Sequence, residues 1–326
     1  MSMRMNIKDM YTQYPYPSNN VSDAPIYDLA AMVSAVYCPE ALEGKTVVDL
    51  GCGSGHRLCG LAELFPSTHF IGVDMTEASL EVAGQLARTH GVHNVSFVQS
   101  TIEEFELAQP CDLIVSTGVF HHMDKPIEGF KSAYRALNEG GAVLTWLYHE
   151  VGERERLQQR EVLQTLLKAK SPDTWYLNVE DMALFGASLS TAQYGGASAS
   201  HANGAANQLA IDVDAFLHPI VNAYSFSGIS DMATQAGFSS LCCCGFNRAD
   251  SSKLFSSEMN KYDSEHFLTY NDLSLHEAFK ETFTKLPYGQ QVRVAELMWK
   301  PTGITVLCQK GVTGRRELPL WLGGEA

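Results

Sequence analysis

Three glycines alternate with other residues in the run VVDLGCGSGHRL, Val47 to Leu58, and an acid stands just ahead of them. Gly51, Gly53 and Gly55 mark a buried strand turning sharply into a helix, a turn that lets backbone approach a nucleotide closely. A dinucleotide fingerprint needs its third glycine at position 56; His56 stands there, and the third glycine comes one residue early. Asp49 adds a carboxylate at the mouth of the strand. An anion at that place repels a pyrophosphate and suits a ligand that carries an ammonium or a sulfonium. Asp74 ends the next strand, 23 residues after Gly51, where a carboxylate can accept hydrogen bonds from both ribose hydroxyls. Ribose recognition alone serves a nicotinamide dinucleotide equally well. Asp49 and the glycine spacing decide for S-adenosylmethionine, which brings both cations and no phosphate.

These residues need strands and helices in alternation to position them. TVVDL reads as a strand, His56 to Phe65 as a helix stopped by Pro66, and HFIGVD as a second strand. A helix from about Glu77 to His90 follows, with Gly91 as its stop, then the strands VSFVQ and CDLIVS. Pro126 opens a further helix, Gly140-Gly141 closes it, and AVLTWLYH is a fifth strand. Strands apolar throughout and separated by helices mean a parallel sheet covered on both faces. Upstream, residues 1–25 are turn-rich and aromatic, and Ile26 to Tyr37 shows helical spacing. Downstream, Glu153 to Lys170 reads as a charged helix, and Ser225 caps a helix that Gly237 stops. SSLCCCGF and TGITVLCQK supply two more strands, with helices over about Leu273 to Lys285 and Tyr288 to Trp299 between them.

VVDLGCGSG followed by FIGVD resembles motifs I and II of the class I S-adenosylmethionine-dependent methyltransferases. VSFVQSTIEEF stands where that superfamily contacts adenine, CDLIVSTGVFHHMDKP resembles its motif IV, and ALNEGGAVLTWLYH resembles the run into strand five. The later stretches DAFLHPIVNAYSFSGISDMATQAGF and LPYGQQVRVAEL look like a bacterial subgroup that often begins with a YPYP-like segment. The resemblance covers most of residues 11–310. It implies an α/β, Rossmann-like, seven-stranded and mostly parallel sheet, helices on both faces, and helical insertions after strands five and six. Residues 1–40 would form an N-terminal flap and helix, and 41–149 the cofactor-binding core. Residues 150–225 would form a substrate roof with a mobile loop at 192–207. The end of the core sheet would occupy 226–311, with a helical insertion at 249–300, and 312–326 would be a tail.

Position by position, the resemblance implies a set of cofactor contacts. Gly51, Cys52, Gly53 and Gly55 would pass their backbone under the methionine part, with Asp49 beside them. Asp74 would hold the ribose, Met75 and Ile102 would pack on adenine, and Thr117 and Gly118 would face the methionine end. Relatives usually carry an acid where this chain has Thr101, whose hydroxyl is shorter and uncharged.

Methyl transfer from a sulfonium is an in-line displacement, so much of the rate comes from placement of the acceptor. A base is needed only where the acceptor holds its proton at neutral pH. His121 and His122 follow motif IV and face the acceptor by resemblance; each is either that base or a scaffold for the loop, with His122 ahead. Tyr11, Tyr14 and Tyr16 either fold over the cofactor as an aromatic flap or anchor the N-terminus. His218 and Tyr224 lie in the roof. The expected activity is methyl transfer to an oxygen, nitrogen or carbon of a small molecule. The alternatives are a module that binds the cofactor without turnover and a nicotinamide-dependent dehydrogenase.

Composition narrows the partners. Lys and Arg number 23 against 37 Asp and Glu, a net charge of −14, which argues against nucleic acid. No apolar stretch approaches the roughly 20 residues that span a bilayer, so no membrane partner is expected and the location reads as cytoplasmic; a homodimer is left open. The eight cysteines show no C-x-x-C pairing and read as reduced thiols. Cys242, Cys243 and Cys244 are consecutive on a strand, so their side chains alternate between faces and no metal site is expected.

Overall fold

The computed structural model describes residues 3–34, 36–188, 208–247, 252–254, 273 and 275–311. Five strands form its parallel half: β1 (Thr46–Leu50), β2 (His69–Asp74), β3 (Val95–Gln99), β4 (Cys111–Thr117) and β5 (Leu137–Tyr148). Beyond them lie β6 (Ser240–Asn247), β7 (Ser252–Leu254) and β8 (Gly303–Gln309), and the order across the sheet is β3-β2-β1-β4-β5-β8-β6-β7. β8 runs antiparallel between β5 and β6. The expected seven-stranded, mostly parallel Rossmann-like sheet is therefore present. The three-residue β7 is an addition, in a stretch read from sequence as helical.

Two apolar layers hold this sheet. Val47, Leu113, Val115 and Leu144 turn to a layer shared with Leu58, Phe70 and Leu86, while Val48, Leu50, Ile114 and Val143 turn to one shared with Phe120 and Phe130. Each such fully buried side chain stabilises the fold by about 1.5–3 kcal/mol, and burial on both faces is why these strands contain so few polar residues. Cys242 and Cys244 share one layer and Cys243 the other, as strand alternation requires.

The helices, in chain order, are α1 (Met3–Gln13), α2 (Asp28–Ser34), α3 (His56–Leu64), α4 (Glu77–His90), α5 (Pro126–Ala136), α6 (Arg154–Lys170), α7 (Val179–Ser188), α8 (Gln208–Asp212), α9 (Phe226–Ala236), α10 (Lys280–Thr284) and α11 (Tyr288–Trp299). Gly91 stops α4 in the left-handed conformation, and Ser225 Oγ accepts the Gly228 N–H at the start of α9. None of the helices in the described residues is long and apolar enough to cross a membrane.

Three local expectations change. The turn-rich N-terminus contains α1, because Met10 buries itself completely against Leu163, Leu167, Trp175 and Phe216, a contact no local pattern reveals. The helix expected over Ile26 to Tyr37 shortens to α2. β5 begins at Leu137, which pairs with Cys111 before a register shift restores the ladder at Ala142. The expected mobile loop at 192–207 and the tail at 312–326 lie outside the described residues.

Residues 213–218 are pinned from α6. Chain continuing from α8 winds into one π-helical turn, Val213–Leu217, whose carbonyls α6 collects. Arg156 donates to Ala215 O at 2.6 Å, and Gln164 donates to Phe216 O and His218 O at 3.0 and 3.2 Å. Arg156 itself pairs with Glu153 and lies 4.5 Å over the Tyr148 ring. At the end of β5, His149 meets Glu296 of α11 at 3.0 Å, both fully buried, and Glu296 also accepts the Phe226 N–H at 2.6 Å. That pair joins sheet, α9 and α11 away from the cavity.

Candidate functional site

A cavity of about 750 Å³ opens over the carboxyl ends of β1, β2 and β4, the crevice where open α/β sheets take ligands and a size that suits a small molecule. Its floor carries Asp49, Gly51, Cys52, Gly53, Asp74, Met75, Thr101, Ile102, Thr117 and Gly118. Gly55 is absent from the lining. It starts α3 at φ +76°, and a Cβ there would come within 2.7 Å of Ala83 Cβ on α4. This glycine lets α3 and α4 pack closely, and it does not line the cavity as expected for a ligand contact.

Burial governs both floor acids. Asp49 is almost wholly buried, and burial pushes its carboxyl up to about 7; Arg57 pulls it down, while Asp74 and Asp28 push it further. The standing anion expected from sequence is thus a group that titrates near neutrality. Asp74 accepts from Gly53 N at 3.0 Å through one oxygen, and from Thr76 N and Oγ1 at 2.9 and 2.7 Å through the other. These three bonds orient it, fill Oδ1 and leave one acceptor site on Oδ2. Thr101 turns its hydroxyl to Glu104, 2.9 Å away, and accepts the Glu104 N–H in return.

The N-terminal segment lines one side of the cavity through Tyr11, Tyr16 and Pro17. Ser54 N and Ser54 Oγ donate to the Tyr16 carbonyl at 2.8 and 2.9 Å, and a Cβ on Gly53 would collide with that same carbonyl oxygen. This glycine makes room for the chain's own N-terminus. Tyr16 lines the cavity, its ring under Arg57 and its hydroxyl accepting from Arg57 Nη2 at 3.3 Å; Arg57 in turn pairs with Asp28. Tyr14 does not line the cavity: its hydroxyl accepts from Gln13 and its ring packs at the edge of the α6 cluster. Tyr11, one helical turn earlier, takes the inward place.

Opposite the floor, four side chains converge. His122 ends a short 3₁₀ turn, Phe120–His122, after β4. Its Nδ1 lies 2.8 Å from the Ile220 carbonyl, and the Ile220 N–H donates to His218 Nδ1 at 3.0 Å. The two rings lie 4.0 Å apart. Asp214 Oδ2 approaches His122 Nε2 at 3.4 Å, and its other oxygen accepts the Tyr11 hydroxyl at 2.6 Å. Burial alone would raise Asp214, but the His122 charge and contact, then His218 and Tyr11, outweigh it and bring the carboxyl down to about 2. Burial, then the charge of His122, lowers His218 well below its ordinary value. His218 Nε2 is buried and makes no hydrogen bond among the described residues, and His122 Nε2, equally buried, faces the Asp214 carboxylate.

His121 stays outside. Fully buried, it stacks on Tyr148 at 3.9 Å and accepts the Tyr148 N–H at 3.1 Å, and its carbonyl accepts from Asn222. It scaffolds the loop, because adjacent residues of the turn point in different directions and only His122 faces the cavity. Asp214 was missed from sequence; it lies in the apolar run IDVDAFLHPI and reads as part of a core helix. One signal was available: Asp214 and His218 are four residues apart, a spacing that puts side chains on one face of a helical turn.

Residues 41–181 match the family model of a methyltransferase domain. An uncharacterized protein of Synechococcus sp. is 27% identical over 175 residues, 51% of this chain and 42% of that protein. An arsenite methyltransferase of Aquipseudomonas alcaligenes is 37% identical over 135 residues, 38% of this chain and 39% of that enzyme. The chain thus spans less than half the length of these curated relatives. PKMT2 from Rickettsia typhi in complex with AdoHcy shares the fold at a TM-score of 0.57, with 16% identity across 89% of this chain and 54% of that one.

Proposed function

We propose that this chain, whose residues 41–181 match the family model of a methyltransferase domain, uses S-adenosylmethionine to methylate a small molecule. One observation carries the reading: a single cavity gathers Asp49, Asp74, Met75, Ile102, Thr117, Gly118 and His122, residues scattered over more than seventy positions of sequence. Asp74 would take a ribose hydroxyl on the acceptor site left on Oδ2, and Met75 and Ile102 would enclose the adenine. The backbone of Gly51 to Gly53, with Thr117 and Gly118, would line the methionine end. Asp49, ionised, would face its positive charge.

The bound cofactor supplies a methyl group activated on a sulfonium. The chain's own residues supply the rest. Tyr11, Tyr16 and Pro17 line the cavity and would displace water beside a bound ligand, which strengthens the charge interactions there. His122 stands ready to take a proton, and Asp214 offsets the positive charge His122 would then carry. His121, Tyr14 and Gly55 have no part in this reading beyond holding the frame.

Thermal unfolding with S-adenosylhomocysteine and with NAD tests the cofactor assignment. A ligand at a hundred times its Kd stabilises by about 2.7 kcal/mol, so S-adenosylhomocysteine raises the Tm and NAD leaves it unchanged. Stabilisation by NAD alone would overturn the reading. Binding without release of the methyl group to any acceptor would favour the module that does no chemistry.

A further inference from the structure

We propose that the chain's own N-terminal segment makes the glycine loop blind to phosphate: the Tyr16 carbonyl fills the place where such a loop takes a pyrophosphate, and Ser54 and His56 hold it there. The proposal rests on the cofactor reading above and names what confines the site to a phosphate-free nucleoside.

A loop of this kind takes phosphate on backbone N–H groups at the start of its helix, and its second glycine lets the anion come close. Here those groups are engaged inside the chain. The N–H groups of Gly51 and Cys52 both donate to the Val73 carbonyl, at 2.8 and 2.9 Å, and that of Gly55 donates to the Cys52 carbonyl at 3.1 Å. Gly53 N donates to Asp74 Oδ2 at 3.0 Å. Ser54 N donates to the Tyr16 carbonyl at 2.8 Å, and Ser54 Oγ meets the same oxygen at 2.9 Å. Every N–H from Gly51 to Gly55 therefore has an acceptor, and a phosphate would find none of them free. It would also meet the Tyr16 oxygen, an acceptor like itself, in the space that Gly53 leaves by having no Cβ. Two acceptors with no hydrogen between them repel, and displacing the carbonyl instead would strip Ser54 of its partner.

The residue that breaks the dinucleotide spacing secures the segment. His56 is fully buried. Its Nδ1 lies 3.0 Å from Ser54 Oγ, its Nε2 donates to the Asn20 carbonyl at 3.2 Å, and its own carbonyl accepts the Ile26 N–H at 2.9 Å. A glycine at position 56 would have no side chain to reach Ser54 or Asn20. Asp23 braces the same stretch, accepting from Ser18 Oγ at 2.7 Å and from Asn20 Nδ2 at 2.6 Å. Asp49 offers no comparable barrier, because a carboxyl raised to about 7 is partly uncharged near neutrality. Exclusion of phosphate accordingly survives the loss of that charge.

The test measures displacement of labelled S-adenosylhomocysteine from the full chain by adenosine and by ADP, which differ only in the diphosphate. Adenosine should displace it far more readily than ADP, from the native protein and equally from Asp49→Asn. A gap that closes in Asp49→Asn would overturn the inference, because the acid would then be the excluding group. Ser54→Ala combined with His56→Ala frees the segment and should narrow the gap by about tenfold or more. Asp23→Ala, outside the cavity lining, should narrow it less and serves if the double variant fails to fold. An unchanged gap in the folded variants, or adenosine gaining in step with ADP, would overturn the inference. Amide exchange of the native protein needs no substitution: the Ser54 N–H should stay protected with and without S-adenosylhomocysteine, and fast exchange there sinks the idea. A native protein that S-adenosylhomocysteine does not stabilise would remove the cofactor reading itself. Equal displacement by adenosine and ADP, from a protein that it does stabilise, would remove this inference alone.

Discussion

His122 and His218 lie with their rings 4.0 Å apart and their Nδ1 atoms in opposite states, one donating and one accepting, because a single peptide unit pair at Ile220 addresses both. The result is two neighbouring imidazoles whose Nδ1 atoms are held in opposite roles by one residue. Asp214, on the π-helical turn, and Tyr11, on the N-terminal helix, complete the wall. Parts from three distant stretches of chain therefore depend on one another, and several consequences can be measured.

Cofactor affinity should depend on pH through Asp49. Its carboxyl is raised to about 7, so from about pH 4 to 7 the folded, ligand-free protein binds more protons than the unfolded chain and loses stability as pH rises. A bound cation reverses the preference by favouring the carboxylate, with Arg57, Asp74 and Asp28 as its charged neighbours. Calorimetry should show S-adenosylmethionine binding tightening by up to about tenfold per pH unit below 7 and levelling above it. Asp49→Asn should flatten the curve; a native curve that is already flat would show that Asp49 stays clear of the ligand charge.

Asp214 should make itself felt in acid. A carboxyl depressed from its ordinary 3.8 to about 2 contributes stability that is complete above the unfolded value and disappears as pH falls through the folded one. The contribution is on the order of 2 kcal/mol. Urea titrations between pH 5 and 2 should give Asp214→Asn a shallower acid limb than the native protein. Identical limbs would mean that the carboxylate gains nothing from His122, His218 and Tyr11.

Gly53→Ala should loosen the N-terminal closure. The new methyl group meets the Tyr16 carbonyl at a backbone φ of +53°, which L-residues rarely adopt. A cost of about 1–3 kcal/mol is expected. Hydrogen exchange over residues 7–18 should accelerate; protection equal to that of the native chain would show that this contact does not hold the segment down.

Glu296→Ala should be the most damaging of these changes to stability while lying outside the cavity. It strips a partner from buried His149 and from the Phe226 N–H at the start of α9. Breaking a buried pair in this way costs about 3–5 kcal/mol, read as a lower urea midpoint. Glu296→Gln keeps an acceptor for the N–H and should lose less.

The alternation of elements along the chain was legible because strands buried on both faces are apolar throughout, so an acid such as Asp49 or Asp74 at a strand end is conspicuous. The glycines were legible for the same local reason, but their purposes were not. Gly53 accommodates Tyr16 and Gly55 accommodates Ala83, contacts between residues far apart in sequence. Tyr14 and Tyr11 are equivalent by composition; which of them faces inward depends on the helix that Met10 anchors.

By itself the sequence determined the sheet, the glycine turn and the acids at its strand ends, because periodicity, turn chemistry and strand termination are short-range properties. Only the tertiary structure decided that His122 meets Asp214 and His218, with Tyr11 on the same carboxylate, while His121 stacks on Tyr148. That choice is made by the roof and the N-terminal helix docking over the sheet, and by the proton inventory of one backbone unit at Ile220, neither of which any local pattern encodes.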